Sequence, residues 1–309
     1  MRFDRDDFGS NVEDRGRGSG GGGFGFGGGG GGGGAGMLIS LIASRFGIVG
    51  VIVVVILMAV FGSGLGGMFG GGSGAVGNAG GGGASGEVKR GAAACTQSDT
   101  HKFACNVNRS TELVWTQLFS QAGQQYRPPT LVFFTQATRT GCGTGETAMG
   151  PFYCPGDQGI YIDLTFFEEL SNRFGAAGDF AGAYVIAHEA GHHIQTISGT
   201  SDRIRRAQGG ANEARSNALQ VRMELQADCL AGVWAANVNR SGDTLDADDM
   251  AEGLRAAEAI GDDTLQRSAG RRPVPESFTH GTSAQRQEAL RRGFQGGTLQ
   301  SCAGFTQGV

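Results

Sequence analysis

Two histidines four residues apart, set in an apolar stretch, constrain this chain more than any other feature. The stretch is Tyr184-Val185-Ile186-Ala187-His188-Glu189-Ala190-Gly191-His192-His193, and His188 to His192 has the form HExxH. Positions four apart share one face of an α-helix, so both imidazoles reach a single ion. Glu189 is offset from the pair by one position, where it holds a metal-bound water without ligating the metal. A zinc ion that activates water, beside a glutamate that takes its proton, is the chemistry this spacing serves. The competing account is a solvated helix face that happens to carry unrelated histidines.

The surroundings favour the site. Gly178 and Asp179 precede the apolar run, and Asp179 is placed to cap the helix start; the helix fades near Ser198-Gly199. Ala181, Val185, Ile186 and Ile197 anchor the segment in a core. Gly191 lowers helicity but removes a side chain beside the metal and lets another backbone approach. A catalytic zinc needs a third protein ligand and an open fourth position. The longest helix-like stretch, Asn212 to Ala235, carries Leu219, Met223, Ala227, Leu230, Val233 and Trp234 at helical spacing. Glu224 and Asp228 lie four apart on it and interrupt its apolar run, which is costly unless they are paired or bound to metal. Glu224 as ligand and Asp228 as acceptor for the free N–H of His188 satisfies both. Glu213 is the rival ligand, in a segment polar on every side.

His188 to His193 with Glu224-Leu225-Gln226-Ala227-Asp228-Cys229 resembles the bacterial family called putative neutral zinc metallopeptidases. Ser10-Asn11-Val12-Glu13-Asp14-Arg15, Gly150-Pro151-Phe152-Tyr153-Cys154-Pro155 and Thr279-His280-Gly281-Thr282-Ser283 agree. The resemblance spans nearly the whole chain, apart from its glycine tracts. More distantly, HExxH followed by ExxxD is similar to the thermolysin-like peptidases, whose zinc is held by two His and one Glu. That likeness implies His188, His192 and Glu224 as ligands of one Zn2+, Glu189 as general base and Asp228 as the orienting acid. It also implies an edge strand beside the HExxH helix, where an extended substrate pairs.

The N-terminal part reads differently. Of 59 Gly in 309 residues, most precede residue 87. Residues 1–36, charged and then glycine-rich, lack the apolar surface to order themselves and are expected to be disordered. Phe46 to Met68 carries no charge, and its centre, Val51 to Phe61, is wholly apolar. A window of about 20 such residues spans a bilayer, so 37–68 is expected to be a transmembrane anchor and 69–86 a glycine-rich tether. A signal peptide fits less well, because a long glycine-rich lead precedes the segment and no Ala-x-Ala site follows closely. A buried core helix would find nothing to pack on in the flanking glycine tracts. Arg45 before the span favours a cytoplasmic N-terminus, with the domain 87–309 periplasmic or otherwise outside the bacterial cell membrane. Net charge is −4, which argues against nucleic acid as a partner.

All six Cys lie beyond the span. An even number facing an oxidising space suggests disulfides. Proximity favours Cys95–Cys105 and Cys142–Cys154, which leaves Cys229–Cys302. Within the domain, Thr111 to Phe119 reads as a helix capped by Ser110 or Asn108. Thr130 to Thr135 and Gly159 to Leu164 read as strands, and Thr165 to Leu170 starts a helix. Phe152, Tyr153 and Tyr161 are candidates for the cleft wall. A short helix from Ser283 is expected to close at Gly293. His280 is either a capping or packing residue or a donor to the oxyanion formed at a peptide carbonyl, with Tyr184 and Tyr161 as rivals for that role. His193 is expected to face away from the other two.

The resulting expectation is an α+β, zincin-like metallopeptidase domain, helix-rich with a small sheet, behind a single N-terminal transmembrane helix. It would be a membrane-anchored zinc endopeptidase acting on peptide or protein substrates. A non-catalytic peptide-binding scaffold of the same fold, or a zinc-dependent amidase or esterase, are the alternatives.

Overall fold

The strand segments alternate in the manner of a sheet buried on both faces. In β3 (Thr130–Thr135), Leu131 and Phe133 join the main core, whereas Val132 and Phe134 join a second cluster with Cys154, Tyr161 and Phe152. The computed structural model describes residues 6–17, 87–174, 178–238, 243–246 and 248–309. Among them, β1 (Val12–Arg17), β2 (Lys89–Arg90), β3, β6 (Phe152–Cys154) and β7 (Gly159–Ile162) form one sheet of order β2-β1-β3-β7-β6. β1 and β7 run parallel to β3, and the two edge strands are antiparallel to their neighbours. A hairpin of β4 (Ala137–Thr140) and β5 (Gly143–Glu146) is stapled to β6 through Cys142–Cys154.

β1 corrects the expectation of disorder for residues 12–17; residues 1–5 and 18–36 of that segment lie outside the described residues. Val12 pairs with Leu131 and Asp14 with Phe133, and Phe8 and Val12 are buried in the main core. The charges that suggested a solvated tail have partners: Arg109 donates to Asp7, and Arg15 donates to Glu13 and to the carbonyl of Arg139. The expected anchor 37–68 and tether 69–86 lie outside the described residues. Among the described residues, no helix is long and apolar enough to cross a membrane.

Helices cover one side of the sheet. α1 (Ala92–Cys95) leads into α2 (Asp99–Gln121), which starts well before the expected Thr111 because Ser98 caps it, accepting the N–H of His101. The polar run inside α2 hid this start; Thr111 donates to the Asn108 carbonyl, Asn108 Nδ2 donates to Glu112, and Ser110 accepts from Trp234. α3 (Thr165–Phe174) precedes α4 (Asp179–Ile197), the HExxH helix. Its N-cap is Gly178 rather than Asp179, and Glu252 accepts the N–H of Phe180 at 3.1 Å instead.

α5 (Thr200–Gln208) turns the chain into α6 (Glu213–Asn237), and α7 (Asp249–Ala259), α8 (Asp262–Ser268), α9 (Ser283–Gly296) and α10 (Leu299–Cys302) follow. At Gly191 an added Cβ would stand 3.0 Å from the Ala227 carbonyl, so α4 meets α6 there backbone to backbone. α6 and α9 cross still more closely: a Cβ on Gly293 would lie 1.8 Å from the Cys229 carbonyl. Gly293 is therefore a crossing point, not the end of α9, which closes at Gly297 in the left-handed region. Cys229–Cys302 ties α10 to α6, and Cys95–Cys105 joins α1 to α2; no cysteine is free. The helix-rich α+β expectation holds, and a small mixed sheet beside the HExxH helix is consistent with a zincin-like plan.

Candidate metal centre

α4 brings His188 and His192 to one face, and α6 crosses it with Glu224 opposite. The Nε2 atoms of His188 and His192 stand 3.2 and 3.4 Å from Glu224 Oε2, and the three ligand atoms lie within 4.8 Å of one another. His188 Nδ1–H donates to Asp228 Oδ1 at 2.8 Å, and His192 Nδ1–H donates to Gln195 Oε1 at 2.8 Å. Both rings thereby keep a proton on Nδ1 and turn Nε2 to the convergence point, the orientation a metal ligand needs. Two imidazole nitrogens and one carboxylate oxygen, with both rings oriented from behind, fit a zinc ion with an open fourth position.

The carboxylates differ in what holds them. Burial raises the Glu224 pKa, but His192 and His188 outweigh it and keep the group well below the usual carboxylate range. Asp228 is fully buried and also sits low: burial opposes ionisation, but Arg286 and then His188 more than offset it. Arg286 donates from Nε and Nη2 to the two Asp228 oxygens at 2.8 Å each, and Tyr184 OH donates to Oδ1 at 2.5 Å. Tyr184 therefore lies behind His188, orienting Asp228, and does not face the open side of the site. Glu189 is held up in pKa by burial, against the pull of His192 and His188.

The remaining expected residues sort clearly. His193 faces away from the site: its Nε2 donates to the Arg127 carbonyl at 2.7 Å, and Nδ1 accepts from Tyr153 OH at 3.1 Å. Tyr161 is not at the site; it stacks on Phe152 at 5.1 Å in the second cluster, and its OH donates to Asp157. Phe152 shares that displacement, while Tyr153 remains beside α4. Glu213 is exposed in the first turn of α6, away from the ligands. His280 lies in the segment just before α9. Its ring Nδ1 lies 3.3 Å from Asp262 Oδ1, and Asp262 Oδ2 accepts the N–H groups of Thr279, His280 and Gly281 at 2.8, 2.6 and 3.0 Å. Sequence reasoning passed over Arg286, Gln195 and Asp262. For Arg286 a signal existed: with Ala289, Leu290 and Gly293 it lies on the buried face of α9, where an arginine demands a counter-charge.

Residues 1–305 match the family described as Putative neutral zinc metallopeptidase. The chain belongs to that family. Its relatives include the uncharacterized protein YpfJ of Escherichia coli strain K12, 47% identical over 213 residues, 69% of this chain and 74% of the relative. Another is the uncharacterized protein Rv2575 of Mycobacterium tuberculosis strain H37Rv, 40% identical over 225 residues, 68% of this chain and 74% of the relative. No solved structure matches the chain significantly. The family match takes in Val12–Arg17, so the strand that completes the sheet is part of what defines the family domain.

Proposed function

We propose that the chain is a zinc-dependent endopeptidase. One observation carries the reading: His188, His192 and Glu224 converge while Glu189, adjacent and buried, ligates nothing and borders the edge strand β6. Bound at the three ligands, zinc would supply a Lewis acid that polarises a carbonyl and makes water nucleophilic near neutral pH. Glu189 accepts the proton of the attacking water at its carboxylate and delivers it to the leaving amine. His280, oriented by Asp262, donates a hydrogen bond to the developing oxyanion. β6 is an outer strand, and an extended peptide that adds to it would lie along α4 beside Glu189.

The working compartment is part of the proposal. The three disulfides favour an oxidising space outside the cytoplasm, and the apolar stretch 37–68 favours attachment to the bacterial cell membrane. Pairing of β1 with β2 and β3 supports an attachment that keeps residues 12–17 on the same side of the membrane as the domain. Turnover of a peptide library by zinc-loaded protein, abolished by a chelator, tests the activity. Peptide binding without cleavage would favour a scaffold, and cleavage of amides or esters alone would favour a different hydrolase.

A further inference from the structure

We propose that Gln195 and Gln226 are positioning residues that set the orientation of His192, and that the C-terminal tail sets theirs. The inference rests on zinc binding at His188, His192 and Glu224, not on peptidase activity. The chemistry begins at the far end. Gln226 Nε2 donates to the Cys302 carbonyl at 3.3 Å and to Thr306 Oγ1 at 2.9 Å. A main-chain carbonyl only accepts, so it fixes which end of the Gln226 amide faces the tail. Gln226 Oε1 must then face inward, where it accepts from Gln195 Nε2 at 3.1 Å. Gln195 Nε2 also donates to the Met223 carbonyl at 2.7 Å, a second acceptor that permits one amide orientation only. Gln195 Oε1 is left facing His192 Nδ1 at 2.8 Å, so that nitrogen must carry the proton and Nε2 must offer its lone pair.

The chain is thus a one-way relay of donor and acceptor, anchored on main-chain carbonyls and shielded from water: Gln195 and Gln226 are both buried, as are Cys302 and Thr306. The tail is itself clamped. Cys302 is bonded to Cys229, and Arg222 donates to the carbonyls of Phe305 and Gln307 at 2.7 and 2.6 Å. The two ligand histidines consequently differ: His188 leans on an ionised carboxylate compensated by Arg286, and His192 on a neutral amide whose polarity is imposed by the tail.

Zinc affinity, measured by competition with a chromogenic chelator, and the visible spectrum of the cobalt-substituted protein test this. Gln195→Met fills the space without accepting, and is expected to weaken zinc binding 10–100-fold and to alter the cobalt spectrum. Gln195→Glu keeps an acceptor for His192 but opposes the Met223 carbonyl. It is expected to lose thermal stability while retaining parental zinc affinity, a divergence that a purely structural role would not produce. Gln226→Met, which touches no ligand, is expected to weaken zinc in the same direction. Asn237→Ala, at the other end of α6 where its side chain donates to Val233 and Gly297, controls for lost stability. Unchanged zinc affinity in folded Gln195→Met, or a loss no greater than in Asn237→Ala, would overturn the proposal. If Gln195→Met fails to fold, Gln226→Met decides on the same terms. A parent protein that takes up no zinc would overturn the metal site and this inference together.

Discussion

Asp228→Asn removes a charge from the least solvated part of the site. Asp228 is 0% exposed and Arg286 3% exposed. The parent carboxylate accepts from His188 Nδ1, Tyr184 OH and both Arg286 donors. In the variant the amide oxygen still serves His188 and Arg286 Nη2, but the amide NH2 meets Arg286 Nε, and the guanidinium is left buried without its counter-charge beside Tyr184 OH and the Ile260 carbonyl. Removing one partner of such a pair costs about 3–5 kcal/mol. For a domain of roughly 150–250 residues, each kcal/mol moves Tm by about 2–4 °C, so a fall of about 6–20 °C is expected. Thermal and denaturant unfolding of zinc-stripped parent and variant at neutral pH measure it. The depressed pKa of Asp228 gives the sign: its stabilisation is present above the ordinary carboxylate range and is lost as pH falls through the folded value. Adding Arg286→Met to Asp228→Asn removes both charges and should recover part of the loss. A single variant that melts with the parent would refute the buried pair as the support of His188.

The other perturbations probe titration, topology and packing. In zinc-stripped protein, burial lowers the His188 pKa but Asp228 and Glu224 outweigh it and raise it to about 10. Zinc must therefore displace a proton at neutral pH, and calorimetry in buffers of different ionisation enthalpy should detect the release. The same shift stabilises the stripped protein below its unfolded pKa of about 6.5, and that stabilisation should fade as pH rises toward the folded value. Non-reducing mass mapping of protein isolated from its native cells should find Cys95–Cys105, Cys142–Cys154 and Cys229–Cys302. On the proposed membrane attachment, protease-accessible tags at the two termini should report the same side; opposite sides would mean that β1 does not pair as described. Gly293→Ala forces a methyl into the Cys229 carbonyl and should destabilise by about 1–3 kcal/mol, the range for overpacking; unchanged stability would mean that α6 and α9 separate freely.

Much of the site was legible because helical spacing is local. HExxH and ExxxD each need only the geometry of one helix, so the pairs His188–His192 and Glu224–Asp228 were readable from the chain, whereas deciding between Glu224 and Glu213 needed the crossing of α4 and α6. The strand at Thr130–Thr135 was readable for the same reason, being short, apolar and β-branched behind two prolines. What escaped depends on distant partners. Arg286 is joined to Asp228 across 58 residues and Gln226 to Thr306 across 80, and no local pattern encodes either pairing. β1 was hidden by its charges, since a strand rich in Asp, Glu and Arg reads as solvated until Tyr161, Arg90 and the Arg139 carbonyl supply its partners. Tyr161 misled in the opposite sense: alternation located the strand but not which face looks toward the metal.

Glu189→Gln tests the central claim most directly, because Glu189 ligates nothing in the convergent site yet carries the proposed proton transfer. The parent and variant would be loaded with zinc, checked for equal metal content, and compared on a peptide library. The expected result is equal zinc content and unchanged folding, with cleavage reduced by about 10²–10⁴-fold, the range for loss of general acid–base help. Cleavage by Glu189→Gln at the parental rate, with both proteins homogeneous and zinc-loaded, would contradict the account.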